Sequence, residues 1–344
     1  MKKEISLLVR DNIRKLNPYS CARHEFKGEA SVYIDANENP MAIPYNRYPD
    51  PLQGKLKSEI ARVKQVRPSQ IMIGVGSDEP IDLTIRIFCE PKVDNIVAID
   101  PTYNMYKVCA DINNVEYRQV LLNDDFSLDA ERLLKAVDDQ TKVIFLCSPN
   151  NPSGNLLDRE EVRKIVDSFE GVVVIDEAYV DFSSQPSWLT ELNNYPNLII
   201  LQTFSKAWGL AGLRCGMAFA SEKIIDYLSN VKYPYNINSL TQEVVQKKLG
   251  EENQKDDWVN VLLEQRTWLA SQLAELPLVE KIYPSDANFI LLKVADPEGI
   301  YDQLVAKGII IRKRNKLPLC DGCVRISVGT VEENNQLINA LKKI

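Results

Sequence analysis

Five short runs of consecutive apolar, often β-branched residues mark the middle of the chain. They are NIVAID at 95–100, KVIFLC at 142–147, GVVVIDE at 171–177, NLIILQT at 197–203 and CGMAFA at 215–220. A strand that is apolar on successive rather than alternate positions is buried on both faces. Between these runs lie segments with helical spacing, such as SLDAERLLKAV and DREEVRKIVDSF, which open on Ser or Asp, residues that cap helix N-termini. The alternation predicts a largely parallel sheet covered by helices on both faces. Helical patterns continue through 221–276, where the charge cluster EENQKDD at 251–257 reads as a solvated face. NFILLKV at 288–294, a helix at 297–307, GIIIR at 308–312 and VRISV at 324–328 then predict a smaller α/β unit. The N-terminal MKKEISLLVRDNIRKL reads as an amphipathic helix that joins that smaller unit. The expected division is a large domain over 31–245 and a small one from 1–30 plus 246–344.

Composition narrows the chemistry. Hydrophobic residues make up 45% of the 344, enough for a large core and against disorder. The 41 Lys+Arg against 48 Asp+Glu leave a net charge of -7, a poor match for nucleic acid or an anionic membrane. No apolar run approaches the roughly 20 residues a membrane helix needs. The N-terminal apolar stretch is interrupted by Arg10 and Asp11 and does not read as a secretory signal, so a cytoplasmic protein is expected. Seven cysteines without regular spacing do not suggest a disulfide framework. Cys320 and Cys323 form a CDGC motif, but the only histidine is His24, so no zinc site is expected. His24 itself reads as an ordinary polar side chain near a turn. With one imidazole, a serine-hydrolase triad or a two-histidine metal site is disfavoured.

Three motifs carry chemistry, each at the end of a predicted strand: SPNNPSG at 148–154, VIDEAY at 174–179 and TFSKAWGLAGLRCG at 203–216. In open α/β sheets, ligands bind beyond the carboxyl ends of the strands, so the three pieces converge on one crevice. Each is ambiguous alone, since a strand-end Asp can be a helix cap and Asn-Asn-Pro can be only a turn. Together they offer what a pyridoxal cofactor needs. Lys206 offers a primary amine. Asp176 offers a carboxylate for a pyridine nitrogen. Tyr179 and Asn151 offer donors for the ring hydroxyl. Gly76, Ser77 and Asp78 in GVGSDEP precede a helical pattern whose N-terminus favours an anion, and Ser205 and Arg214 can complete a phosphate cup.

These motifs resemble those of the fold-type-I pyridoxal-phosphate-dependent aminotransferases, and within them the histidinol-phosphate aminotransferase family. DANENP at 35–40 and NRYPDP at 46–51 are similar to its active-site loop, and PTYNMY at 101–106 to the segment whose aromatic, here Tyr103, stacks on the ring. NPYSCAR at 17–23 and the terminal GIIIRKRNKL and GCVRISVGT resemble its substrate-binding ends. The resemblance runs from about residue 12 to 333. It implies a mostly parallel seven-stranded sheet in the large domain and a homodimer with shared active sites. It implies pyridoxal 5'-phosphate carried as a Schiff base on Lys206, with Thr203, Ser205 and Arg214 in the phosphate cup and Tyr48 donated to the partner's phosphate. It further implies that Arg325 binds the amino donor's carboxylate and that Tyr19 and Arg312 bind a substrate phosphate. The implied reaction exchanges an amino group between L-glutamate and a phosphorylated keto compound in histidine biosynthesis. Two relatives remain as alternatives, a threonine-phosphate decarboxylase and an aromatic amino-acid aminotransferase. A cofactor-binding transcriptional regulator on this fold would need a DNA-binding domain that the sequence does not display. Members often read NENPxG, whereas Met41 and Ala42 follow Pro40 here.

Overall fold

The computed structural model describes residues 3–21, 28 and 30–344, so His24 lies outside the described residues. Seven strands form the larger sheet: β1 (Ile71–Val75), β2 (Asn95–Asp100), β3 (Glu116–Leu121), β4 (Thr141–Cys147), β5 (Val172–Asp176), β6 (Leu198–Thr203) and β7 (Cys215–Ala220). Their order is β1-β7-β6-β5-β4-β2-β3. The β3-β2-β4-β5-β6 neighbours are parallel, and β7 runs antiparallel to both β6 and β1. The apolar runs are buried on both faces as their pattern requires. On β5, Val173 and Ile175 enter one core cluster while Val172 and Val174 enter the other. Strands β1 and β3 escaped the sequence reading: IMIG is short, and β3 has only one buried residue along its six.

The capping signals act as expected. The Asp158 carboxylate accepts from the Glu160 and Glu161 amides, and the Asp129 carboxylate from the Arg132 amide. Asp129, not the earlier Ser127, starts that helix.

The smaller sheet is antiparallel, in the order β10-β11-β9-β8, with β8 at Val279–Ile282, β9 at Phe289–Val294, β10 at Arg312–Lys313 and β11 at Cys323–Ser327. GIIIR pairs far less than expected: only Arg312 and Lys313 enter the ladder. Leu269, Leu273, Ile290, Leu292 and Ile338 pack in its core.

The N-terminal segment departs from its expected place. It forms two short helices, Ile5–Leu8 and Asp11–Arg14, and not one. Ile5, Leu8 and Val9 pack with Met72, Ile81 and Phe88 against the larger sheet. The Arg10 amide donates to the Ile87 carbonyl, and its guanidinium binds Glu90 and the Arg86 carbonyl. Residues 5–14 therefore do not join the smaller unit, because their apolar side chains find the large core first. Cys320 and Cys323 are free thiols, both fully buried and packed in a core cluster.

Candidate active site

Strand direction gathers the site at one edge of the larger sheet. The parallel strands β4, β5 and β6 end there, in SPNNPSG, Asp176 and Thr203. Because β7 is antiparallel, its first residue starts at that same edge, with Gly216 opposite Thr203. Arg214, in the turn before β7, is thereby delivered to the ends of its neighbours. Strand β1, antiparallel to β7, ends beside it and leads through Gly76 into the helix Asp78–Phe88. Gly76 has φ +67°, and a Cβ there would lie 2.6 Å from the Arg214 guanidinium. A Cβ on Gly216 would lie 2.4 Å from the Gly76 backbone. The two glycines let this turn and β7 touch, which no side chain would allow.

These elements enclose a cavity of about 150 Å³. Its walls carry Gly76, Ser77, Asp78, Tyr103, Asn151, Asp176, Tyr179, Thr203, Ser205, Lys206 and Arg214, together with Cys147, Ala178 and Ala211. At its floor the Asp176 carboxyl is 1% exposed. It accepts from the Tyr106 hydroxyl at 2.8 Å and the Ala178 amide at 3.1 Å. Burial outweighs both donors and raises its pKa to about 6. The Lys206 amine lies 5.4 Å from the centre of the Tyr179 ring. Its pKa is lowered, first by burial and then by the like charge of Arg325. Also on the wall, Thr203 donates to Ser205 at 3.0 Å, and Arg214 lies 3.5 Å from Asp78. Two hydroxyls, a guanidinium and the N-terminal turn of a helix form a pole suited to an anion. The Tyr103 hydroxyl donates to Asp78 at 2.9 Å, and its ring meets Tyr106 edge-on at 5.7 Å.

The smaller sheet closes one side. Arg325 on β11 donates to the Asn151 side-chain oxygen and lies over the Phe289 ring at 4.9 Å. Tyr179, Ala207 and Phe289 share one apolar cluster, which joins the lysine loop to β9. Arg312 is paired across the strands with Arg325 but is exposed. Two residues read from the sequence are elsewhere within this chain. Tyr48 stacks on Tyr235 with ring centres 4.4 Å apart and does not line the cavity. Tyr19 is 71% exposed, and no described hydrogen bond joins it to Arg312.

Tyr106 and Arg314 escaped the sequence reading. Tyr106 lies in the same PTYNMY segment as Tyr103, but nothing in the sequence says which of two tyrosines three apart points inward. Arg314 follows Arg312 at the two-residue spacing that puts strand side chains on one face. That spacing was the available signal.

A model of the aminotransferase class I and II family matches residues 29–341. The histidinol-phosphate aminotransferase of Bacteroides thetaiotaomicron is 56% identical over 342 residues, covering 99% of each chain. That of Flavobacterium johnsoniae is 49% identical and covers 98% of each. Among solved structures, the histidinol-phosphate aminotransferase of Clostridium acetobutylicum superposes with a TM-score of 0.80 at 24% identity, over 90% of this chain and 97% of that one. The chain therefore belongs to the class I and II aminotransferases, within the histidinol-phosphate aminotransferase family.

Proposed function

We propose that the chain is a pyridoxal-phosphate-dependent aminotransferase that interconverts L-histidinol phosphate plus 2-oxoglutarate and imidazole acetol phosphate plus L-glutamate. The observation that carries the reading is one cavity holding an amine, a buried carboxylate and an anion-binding pole. The cofactor fits these residues by charge. Asp176 is a carboxylate held in a site that disfavours its charge, and a protonated ring nitrogen is the counter-ion it lacks. Thr203, Ser205, Arg214 and the backbone of Gly76 to Asp78 would hold the cofactor phosphate; the Asp78 side chain would not, being itself anionic. Tyr179 and Asn151, which line the same cavity, would hold the ring hydroxyl, and Tyr103 would cover the ring.

When bound, pyridoxal phosphate supplies an electron sink for the charge that develops at the substrate's α-carbon. The residues do the rest. Lys206 moves the proton at that carbon, and its lowered pKa leaves more of the amine unprotonated and basic near neutral pH. Arg325 grips the α-carboxylate of glutamate, and Arg312 the phosphate of histidinol phosphate. Tyr48 reaches into the site of a second subunit in a homodimer, and Tyr19 joins Arg312 at the substrate phosphate. No helix among the described residues is long and apolar enough to cross a membrane. We place the enzyme in the cytoplasm. An amino-acceptor screen of purified holoenzyme tests the reaction. Glutamate should release 2-oxoglutarate with imidazole acetol phosphate as acceptor; carbon dioxide release from threonine phosphate, with no reaction on histidinol phosphate, would replace this reading with the decarboxylase one.

Two further outcomes are expected. In Tyr106→Phe, Asp176 loses a hydrogen bond that lowers its pKa, so that pKa moves further up from about 6. In the cofactor-free enzyme the fall of stability with rising pH should then extend to higher pH, with the stacking on Phe145 retained. An unmoved pH dependence would show that Tyr106 does not tune Asp176. Mixing Tyr48→Phe with Lys206→Ala dimers should form one intact composite site per mixed dimer and restore part of the activity. If exchange is verified and nothing returns, Tyr48 does not act across the interface.

A further inference from the structure

Nearly every described arginine has a partner. Arg86 pairs with Asp82, Arg118 with Asp138, and Arg159 and Arg163 with Glu191. Arg266 donates to main-chain carbonyls. Among the described residues, Arg312 and Arg314 engage no carboxylate and no side-chain hydrogen-bond acceptor. They stand on one edge of the smaller sheet. Arg312 faces Arg325 across the ladder, and the Arg314 amide donates to the Cys323 carbonyl one step further on. Alternation along a strand puts the side chains of 312 and 314 on one face, with that of Arg325. Like charges directly opposite on a sheet repel, so the arrangement works against the fold unless an anion enters it.

Arg314 is the inner member. Arg312 is exposed, whereas the Arg314 Nε is buried without a hydrogen-bond acceptor, as is that of Arg325. Burial first, then Arg325 and Arg312, push the Arg314 guanidinium down to about 10. Tyr179, on the cavity wall, also lies within its electrostatic reach.

We propose that Arg314 is a substrate-binding residue, the inner cation of a subsite where the phosphate dianion of the amino substrate sits between Arg314 and Arg312. A planar guanidinium can meet two phosphate oxygens at once, and a dianion neutralises two adjacent cations where a carboxylate neutralises one. Arg325, held by Asn151 and Phe289, stays with the α-carboxylate. The inference rests on the proposed use of a phosphorylated amine.

The test compares wild type, Arg314→Gln and Arg314→Lys as holoenzymes, in which the cofactor's own phosphate site is filled. Calorimetric titration with inorganic phosphate should show binding to wild type that histidinol phosphate displaces. Arg314→Gln should bind phosphate about 10- to 100-fold more weakly, with Arg314→Lys between them. In the half-reaction, KM for histidinol phosphate should rise by a similar factor in Arg314→Gln while kcat changes less than about threefold, and L-alanine should be unaffected. A wild-type holoenzyme that binds no phosphate at millimolar concentration overturns the subsite. So does Arg314→Gln that binds phosphate as wild type does, or that loses equally on alanine. Wild type that binds phosphate through Arg314 yet ignores histidinol phosphate keeps the subsite and overturns the substrate assignment.

Discussion

Replacing Lys206 by alanine should abolish transamination, lowering turnover by more than about 10³-fold, since a positioned acid–base group contributes about 10²–10⁴ and the covalent anchor is lost with it. Lys206→Arg should be nearly as inactive: it keeps a cation but neither the nucleophile nor the base. Among the described residues one lysine, Lys232, is more deeply buried than Lys206, so the assignment needs a physical reason. Lys232 is 8% exposed and its pKa is lowered to about 8. Its ammonium, however, donates to the carbonyls of Pro51, Tyr233 and Pro234 and to Asn236, and it lines no part of the cavity. Those acceptors engage its ammonium away from the cavity. Among the described residues Lys206 has no such acceptors; it faces Tyr179 and shares the cavity with Asp176. Wild-type protein should absorb in the visible, and borohydride should fix the cofactor on the peptide containing Lys206. Label on Lys232 or any other lysine would sink the assignment.

Asp176→Asn should cut kcat by about 10²–10³-fold, the usual effect of removing one preorganised electrostatic contact, with a much smaller loss of cofactor. Asparagine keeps the shape: its one oxygen can accept from the Ala178 amide while its NH2 group donates to the Tyr106 hydroxyl oxygen, so the charge is removed and one hydrogen bond is reversed. The same change should be visible without any turnover. In the cofactor-free enzyme the Asp176 pKa stands at about 6, above its ordinary 3.8, because burial opposes the anion. The folded state therefore holds a proton that the unfolded state has released, and stability falls as pH rises from about 4 to about 6. Asp176→Asn should flatten that slope, leaving the apoenzyme at neutral pH as stable as wild type or more so. Near-native turnover in the variant would remove the ring-nitrogen role. An unchanged slope would mean that Asp176 is not the buried carboxyl described here.

Much of this was legible along the chain. Runs of consecutive apolar residues require burial on both faces, and five of the seven strands of the larger sheet follow from them. The strand-end motifs fixed which residues could supply an amine, a carboxylate and an anion cup, because those side chains follow buried strands directly. What escaped depended on how distant segments meet. The antiparallel direction of β7 is invisible in CGMAFA, yet it brings Arg214 to the same edge as Thr203. The first helices carry an amphipathic pattern, but a pattern names an apolar face and not the core that receives it; Ile5 and Leu8 went to the larger sheet. The inward turn of Tyr106 toward Asp176, and the meeting of Arg314 with Arg312 and Arg325, depend on which strands pair and in what register. Spacing assigns side chains to a face. Only the closed fold, by covering the Arg314 Nε and leaving Arg312 exposed, decided which of the two unpartnered arginines stands nearer the interior.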